Sequence, residues 1–206
     1  MNASVILAHP APGSLNHAIA DTAVQALRAA GHCVAFHDLY QEHFPPLFSA
    51  AEIQQNAELD SAVARHCAEI AAAAGIIIVH PNWWGMPPAI LKGWIDRVLR
   101  PEVAYRFVAN DKGEGVPVGL LRARAAIVFN TANTPDERER EVFGDPLETL
   151  WKKCIFDLCG VRTVHRRTFT VIVTSTPQQR QEWLHEVGTI VARCFPADAR
   201  ASEVLK

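Results

Sequence analysis

With 206 residues, 49% of them apolar and 20% charged, the chain is long enough for one α/β core and short for two. A formal net charge of -2 gives no reason to expect nucleic acid or an anionic membrane as partner. No apolar run approaches the roughly 18 residues of a membrane span, so no membrane insertion is expected. Val5–Ala8 is too short for a signal-peptide core and has no basic residue before it. The cysteines, Cys33, Cys67, Cys154, Cys159 and Cys194, are odd in number and contain no Cys-x-x-Cys pair. Reduced thiols in a cytoplasmic protein are therefore expected.

In chain order, residues 3–8 read as a buried strand. Residues 14–30 read as a helix, with Leu15, Ala18, Ile19, Ala23, Leu27 and Ala30 on one face and Gly31 ending it. A short strand at 32–37 precedes an irregular stretch to about 58. Residues 60–73 are alanine-rich and helical, 75–79 form the most apolar strand, and 87–99 carry a helical stripe. A strand follows at 123–131. Thr134-Pro135-Asp136-Glu137 and Asp145-Pro146-Leu147-Glu148 both read as helix starts, with a cap residue followed by proline. A strand at about 163–173 leads to a last helix, 177–194, which opens at Thr176-Pro177 and buries Trp183, Val187 and Val191. Five strands alternating with helices predict one α/β domain, residues 1–206, built on a doubly wound five-stranded parallel sheet with helices on both faces.

In such sheets ligands sit beyond the carboxyl ends of the strands, where strand order reverses. That singles out 9–16, 80–86 and 130–134. The first, His9 to Asn16, joins a strand to a helix N-terminus, where free N–H groups and the helix dipole favour a phosphate. It has neither the Lys of a Walker loop nor a Gly-x-Gly-x-x-Gly pattern. Ser14 is equally readable as an ordinary N-cap. The second places Trp83 and Trp84 among Pro81, Pro87 and Pro88. Tryptophan is usually core or interface, but two adjacent ones in an extended loop cannot both point inward. A flat wall beside a phosphate cradle suits flavin mononucleotide. The third, Asn130-Thr131-Ala132-Asn133-Thr134, could meet a ring edge or be a plain turn. There is no Gly-x-Ser-x-Gly elbow, and the histidines show no metal-site spacing. His37 and His43, with Asp38, read as solvated or structural, and no metal is expected.

The stretches HPNWWGMPPAILKGWIDRVLRPEVAYRF (80–107), ILAHPAPGSLNHAI (6–19) and HDLY (37–40) resemble the NAD(P)H quinone oxidoreductases, including their modulator-of-drug-activity and potassium-efflux ancillary branches. The likeness runs to about residue 160. It implies a flavodoxin-like fold that binds FMN or FAD and uses NAD(P)H as co-substrate. It implies that His9, Ser14, Leu15 and Asn16 hold the phosphate, and that Pro81, Asn82, Trp83, Trp84 and Gly85 lie along the isoalloxazine. It places Asn130, Thr131, Ala132 and Asn133 at the fourth-strand loop. Trp84 aligns with the family's aromatic position and is expected to line the cleft.

Tyr105 and Phe107 match an aromatic pair that reaches into the partner subunit's site, which implies a homodimer with active sites at its interface. The animal enzymes read Thr-Thr-Gly-Gly where this chain has 130–133. Phe143 and Glu137 stand at or near the positions of a His and a Tyr that assist hydride transfer in those enzymes, leaving open what assists it here. The chain lacks the C-terminal segment that covers an adenosine, which favours FMN. The expected activity is ping-pong hydride transfer from NAD(P)H to a quinone-like acceptor. The rival readings are a regulatory subunit of a potassium-efflux system and a flavodoxin-like electron carrier, the latter ill-suited to a net charge of -2.

Overall fold

The computed structural model describes residues 1–54 and 57–197. Strands β1 (Asn2–Leu7), β2 (Cys33–Asp38), β3 (Gly75–Pro81), β6 (Ala125–Thr131) and β7 (Val164–Phe169) pair in the order β2-β1-β3-β6-β7, all parallel. Between β3 and β6 the chain makes an antiparallel hairpin of β4 (Tyr105–Ala109) and β5 (Gly115–Gly119). Every residue of β3 and β6 is buried, as in a central parallel strand, and their side chains are apolar on both faces except at the carboxyl ends, where His80, Asn130 and Thr131 lie.

Alternate residues feed two cores. Ile6, Ile76, Ile78, Ala126 and Val128 pack with Trp94, Trp151 and Phe156 on one face. There the cover is α2 (Ser61–Ala72), α3 (Ala89–Val98) and a π-helical segment, Leu150–Asp157, that continues from α5 (Pro146–Thr149). Val5, Leu7, Ile77, Val79, Ile127 and Phe129 face the other side, under α1 (Leu15–Ala29) and α6 (Pro177–Cys194). The chain winds from β1 outward to β2, then returns past β1 to β3. The reversal therefore lies between β1 and β3, and the expected five-stranded doubly wound sheet is borne out.

Among the described residues no helix is long and apolar enough to cross a membrane. All five cysteines are free. Cys67 and Cys159 are buried, and burial pushes each thiol up to about 11.

Ser14 caps α1, its Oγ accepting from the His17 backbone N–H at 3.4 Å, and Thr176 caps α6 through Gln179 at 3.1 Å. The two middle starts differ from expectation. The cap position of α4 (Asp136–Glu141) is Pro135, one residue later than predicted, with no side-chain bond. Asp145 adopts a left-handed φ of 45° and caps nothing. Its carboxylate is held instead by both Nη atoms of Arg166, at 2.7 and 2.6 Å, in a bidentate ion pair. The last strand is shorter than read from sequence: β7 stops at Phe169, and Ile172–Thr174 form a 3-10 turn. Within the stretch read as irregular, Ala50–Ile53 form a 3-10 turn closed by a capping box between Ser49 and Glu52, and residues 55 and 56 lie outside the described residues.

Candidate functional site

The ends of β1, β3 and β6 meet at one edge of the sheet, around a cleft of about 270 Å³. The β1–α1 loop contributes His9 and Ser14, and the first turn of α1 contributes Leu15 and Asn16. The loop after β3 contributes Pro81, Asn82 and Trp83, and the end of β6 contributes Thr131, Ala132 and Asn133. Ten of the residues named from sequence are thus brought together. Asn16 is buried and donates through Nδ2 to Thr131 Oγ1 at 2.9 Å, which joins the first loop to the third. Burial holds the His9 imidazole below its ordinary pKa, against the backbone hydrogen bond to Ala11 that raises it.

A second cleft of about 380 Å³ adjoins the first, since Asn82 and Thr134 line both. Trp84, Gly85, Glu139, Phe143 and Pro146 complete it. The 82–86 loop is a closed turn. Trp83 and Met86 exchange backbone hydrogen bonds at 3.0 Å, and Asn82 Oδ1 accepts from the Gly85 N–H at 2.9 Å. Trp84 and Gly85 both have positive φ, 58° and 71°. A Cβ on Gly85 would lie 2.6 Å from Pro146 Cγ, so the glycine also makes room for the start of α5. Trp84 projects fully into solvent beside this second cleft, whereas Trp83 is 42% exposed and stands in the first. The expectation that Trp84 is the cleft tryptophan therefore divides: each tryptophan lines one of two adjoining clefts.

Four named residues line neither the second cleft nor the first. Asn130 is fully buried below it: Nδ2 meets His80 Nε2 at 2.9 Å, and Oδ1 accepts from Arg166 Nε at 2.9 Å. It supports the floor, because strand alternation turns it opposite to Thr131. Tyr105 and Phe107 sit edge-to-face, 5.6 Å apart, on the β4–β5 hairpin and line neither cleft of their own chain. Glu137 is exposed and outside both clefts, while Phe143 lines the second with Arg138 5.6 Å from its ring centre.

Residues missed from sequence matter as much. Glu139 is buried and accepts from Asn82 Nδ2 at 3.1 Å, bracing the tryptophan loop. Its helix reads DERERE, so no apolar face betrays which glutamate turns inward. His17 lies between Ser14 and Asp38, 2.8 Å and 3.1 Å from each. The only sequence signal for it was its place on the first turn of α1.

Away from the clefts, His37, Glu42 and His66 bring three potential metal-ligand atoms within 4.8 Å of one another. Trp94 Nε1–H donates to His66 Nδ1 at 3.0 Å. Indole N–H is only a donor, so the imidazole proton sits on Nε2, facing Glu42 Oε2 at 3.2 Å. The nitrogen nearest the carboxylate is thereby closed to a metal. Burial first, and then nearby His37, push His66 down to about 4.

The chain matches a family described as flavodoxin-like fold over residues 1–190. It is 34% identical over 173 residues to an uncharacterized NAD(P)H oxidoreductase of Haemophilus influenzae, covering 82% of this chain and 83% of that one. It is 29% identical over 174 residues to the FMN-dependent NADH:quinone oxidoreductase of Ruegeria pomeroyi, covering 77% and 83%. Among solved structures, Smu.1420 from Streptococcus mutans superposes with a TM-score of 0.80 at 28% identity, covering 94% of this chain and all of that one. This chain belongs to the flavodoxin-like NAD(P)H quinone oxidoreductase family.

Proposed function

We propose that this chain is an FMN-dependent NAD(P)H oxidoreductase that reduces quinone-like acceptors, acting as a cytoplasmic homodimer of single-domain subunits. The observation that carries the reading is the meeting of three loops at the β1/β3 reversal, beside the N-terminus of α1. The donor set suits the cofactor. Ser14, Asn16 and the first N–H groups of α1 suit a phosphate. Trp83 gives a flat apolar wall, and Thr131 and Asn133 offer polar groups to a ring edge. The relative from Ruegeria pomeroyi, FMN-dependent by name, supports FMN. Bound there, the flavin would supply two-electron hydride chemistry between a nicotinamide and an acceptor.

The protein's share is position and fixed dipoles. Asn82, clamped between Glu139 and the Gly85 N–H, holds the tryptophan loop so that its backbone donors need no rearrangement. The second cleft, walled by Trp84 and Phe143, is the place for nicotinamide and acceptor in turn, a ping-pong scheme. Tyr105 and Phe107 line neither cleft of their own chain, as residues that complete a partner's site would.

Steady-state rates measured across both substrates with added FMN test this. NAD(P)H-dependent quinone reduction with parallel double-reciprocal lines is expected. Absence of FMN-dependent turnover would overturn the function, and intersecting lines would overturn the shared cleft.

A further inference from the structure

His17 is held at both ends of its ring. Nε2 lies 3.1 Å from Asp38 Oδ2, and Nδ1 lies 2.8 Å from Ser14 Oγ. Asp38 is itself fixed at the end of β2, where Oδ1 accepts the backbone N–H groups of Tyr40 and Gln41 at 3.1 and 3.2 Å. A carboxylate only accepts, so Nε2 carries a proton and Nδ1 decides what Ser14 can do. The ring bond to Ser14, at 2.8 Å, is shorter than the cap bond from the His17 N–H, at 3.4 Å. The imidazole, more than the helix, therefore sets the direction of the hydroxyl.

A hydroxyl has one proton to give. With a neutral ring, that proton points at Nδ1, and Ser14 meets an anion with lone pairs alone. With a proton on Nδ1, the N–H donates to Oγ, and the hydroxyl proton is free to point into the cleft. We infer that His17 is a positioning residue of the phosphate cradle, taking a proton from solvent when a phosphate dianion binds so that Ser14 can donate to it. The inference rests on the FMN reading above. The titratable groups that contact His17 are Asp38 from β2 and His9 from the β1–α1 loop, whose ring centre is 6.2 Å away, edge-on. The Asp38 carboxylate accepts from Nε2 in either protonation state of the ring. His9, chiefly through its burial, resists taking the proton itself.

Calorimetric titration of the whole apoprotein with FMN, in buffers of different ionisation enthalpy at pH 8, tests the inference. There the free phosphate, with its second pKa at about 6, is already a dianion, so proton uptake belongs to the protein. Net uptake with FMN is expected, and none with riboflavin, which lacks the phosphate. His17→Gln should abolish the uptake and weaken FMN by roughly tenfold or more, the scale of one charge-assisted bond. Asp38→Asn should reduce the uptake, and His9→Asn should keep it. Tight FMN binding without uptake, or uptake that survives in His17→Gln, overturns the inference alone. No FMN binding to the parent protein overturns the cofactor assignment, and the inference with it.

Discussion

Asn16 and Thr131, 115 residues apart, hydrogen-bond to each other twice in the buried floor of the cleft: Asn16 Nδ2 to Thr131 Oγ1 at 2.9 Å, and Thr131 Oγ1 to Asn16 Oδ1 at 3.3 Å. This contact fixes the β1–α1 loop against the end of β6. Thr131→Val keeps the shape and removes the hydroxyl, leaving a buried amide without its partner. Urea denaturation should show a loss of about 1–3 kcal/mol, and FMN affinity should fall with it. Unchanged stability and affinity would show that the two loops are positioned by other contacts.

The two tryptophans should separate experimentally. Trp83 stands with its ring centre 6.4 Å from that of His9 in the phosphate cleft, and Trp84 is solvent-exposed at a positive φ. Trp83→Leu should weaken FMN and change its fluorescence quenching. Trp84→Leu removes no buried surface, so stability should stay within about 0.5 kcal/mol, with FMN affinity unchanged and kcat/KM for quinone reduced. Equal loss of FMN affinity in both variants would place both rings against the cofactor.

The sheet was legible in the sequence because its central strands are short apolar runs, such as Gly75–Val79, set between helices with periodic faces. The three loops followed from topology alone. The hairpin was not legible: Arg106, Phe107, Val108 and Ala109 are all exposed, and Gly115–Gly119 contains Pro117, so neither strand shows a buried face. Gly119 explains the placement only in three dimensions, since a Cβ there would lie 2.2 Å from the backbone of Cys159 and Gly160. Asn130 looked like a loop residue because β6 continues polar to its end. Glu139 and His17 act through partners distant in sequence, Asn82 and Asp38, which no local pattern announces.

His80 gives the fold a pH dependence. Full burial pushes its imidazole down to about 4, opposed by its hydrogen bond to the Pro81 carbonyl and reinforced by Arg166. Nε2 meets Trp151 Nε1 at 3.0 Å and so stays an acceptor. In the unfolded chain histidine titrates near 6.5. Between those values the unfolded state binds a proton that the folded state refuses, so stability is full above pH 6.5 and is lost as pH falls toward 4. The limiting slope is about 1.4 kcal/mol per pH unit. Urea denaturation at pH 7 and pH 5 should show the parent losing more stability than His80→Gln, and equal losses would assign the slope to other groups.

Tyr105 tests the dimer. Tyr105→Ala should raise the quinone KM and leave flavin content unchanged. In a heterodimer made from this variant and a chain that cannot bind flavin, every flavin-loaded site belongs to the Tyr105→Ala chain and faces an intact Tyr105 from the partner. Parental KM in that heterodimer is expected if the residue acts in trans, and the variant's raised KM would show that it serves its own subunit.

The most direct measurement is an equilibrium titration of FMN into the parent apoprotein and its Ser14→Ala and Asn16→Ala variants, followed by flavin fluorescence and absorbance. One FMN per chain should bind the parent, and each variant should bind roughly ten- to a hundredfold more weakly, the cost of about 1.5–3 kcal/mol for a hydrogen bond to a charged group. If the parent binds no flavin, or both variants bind it as tightly as the parent, the cleft between the three loops is not the cofactor site.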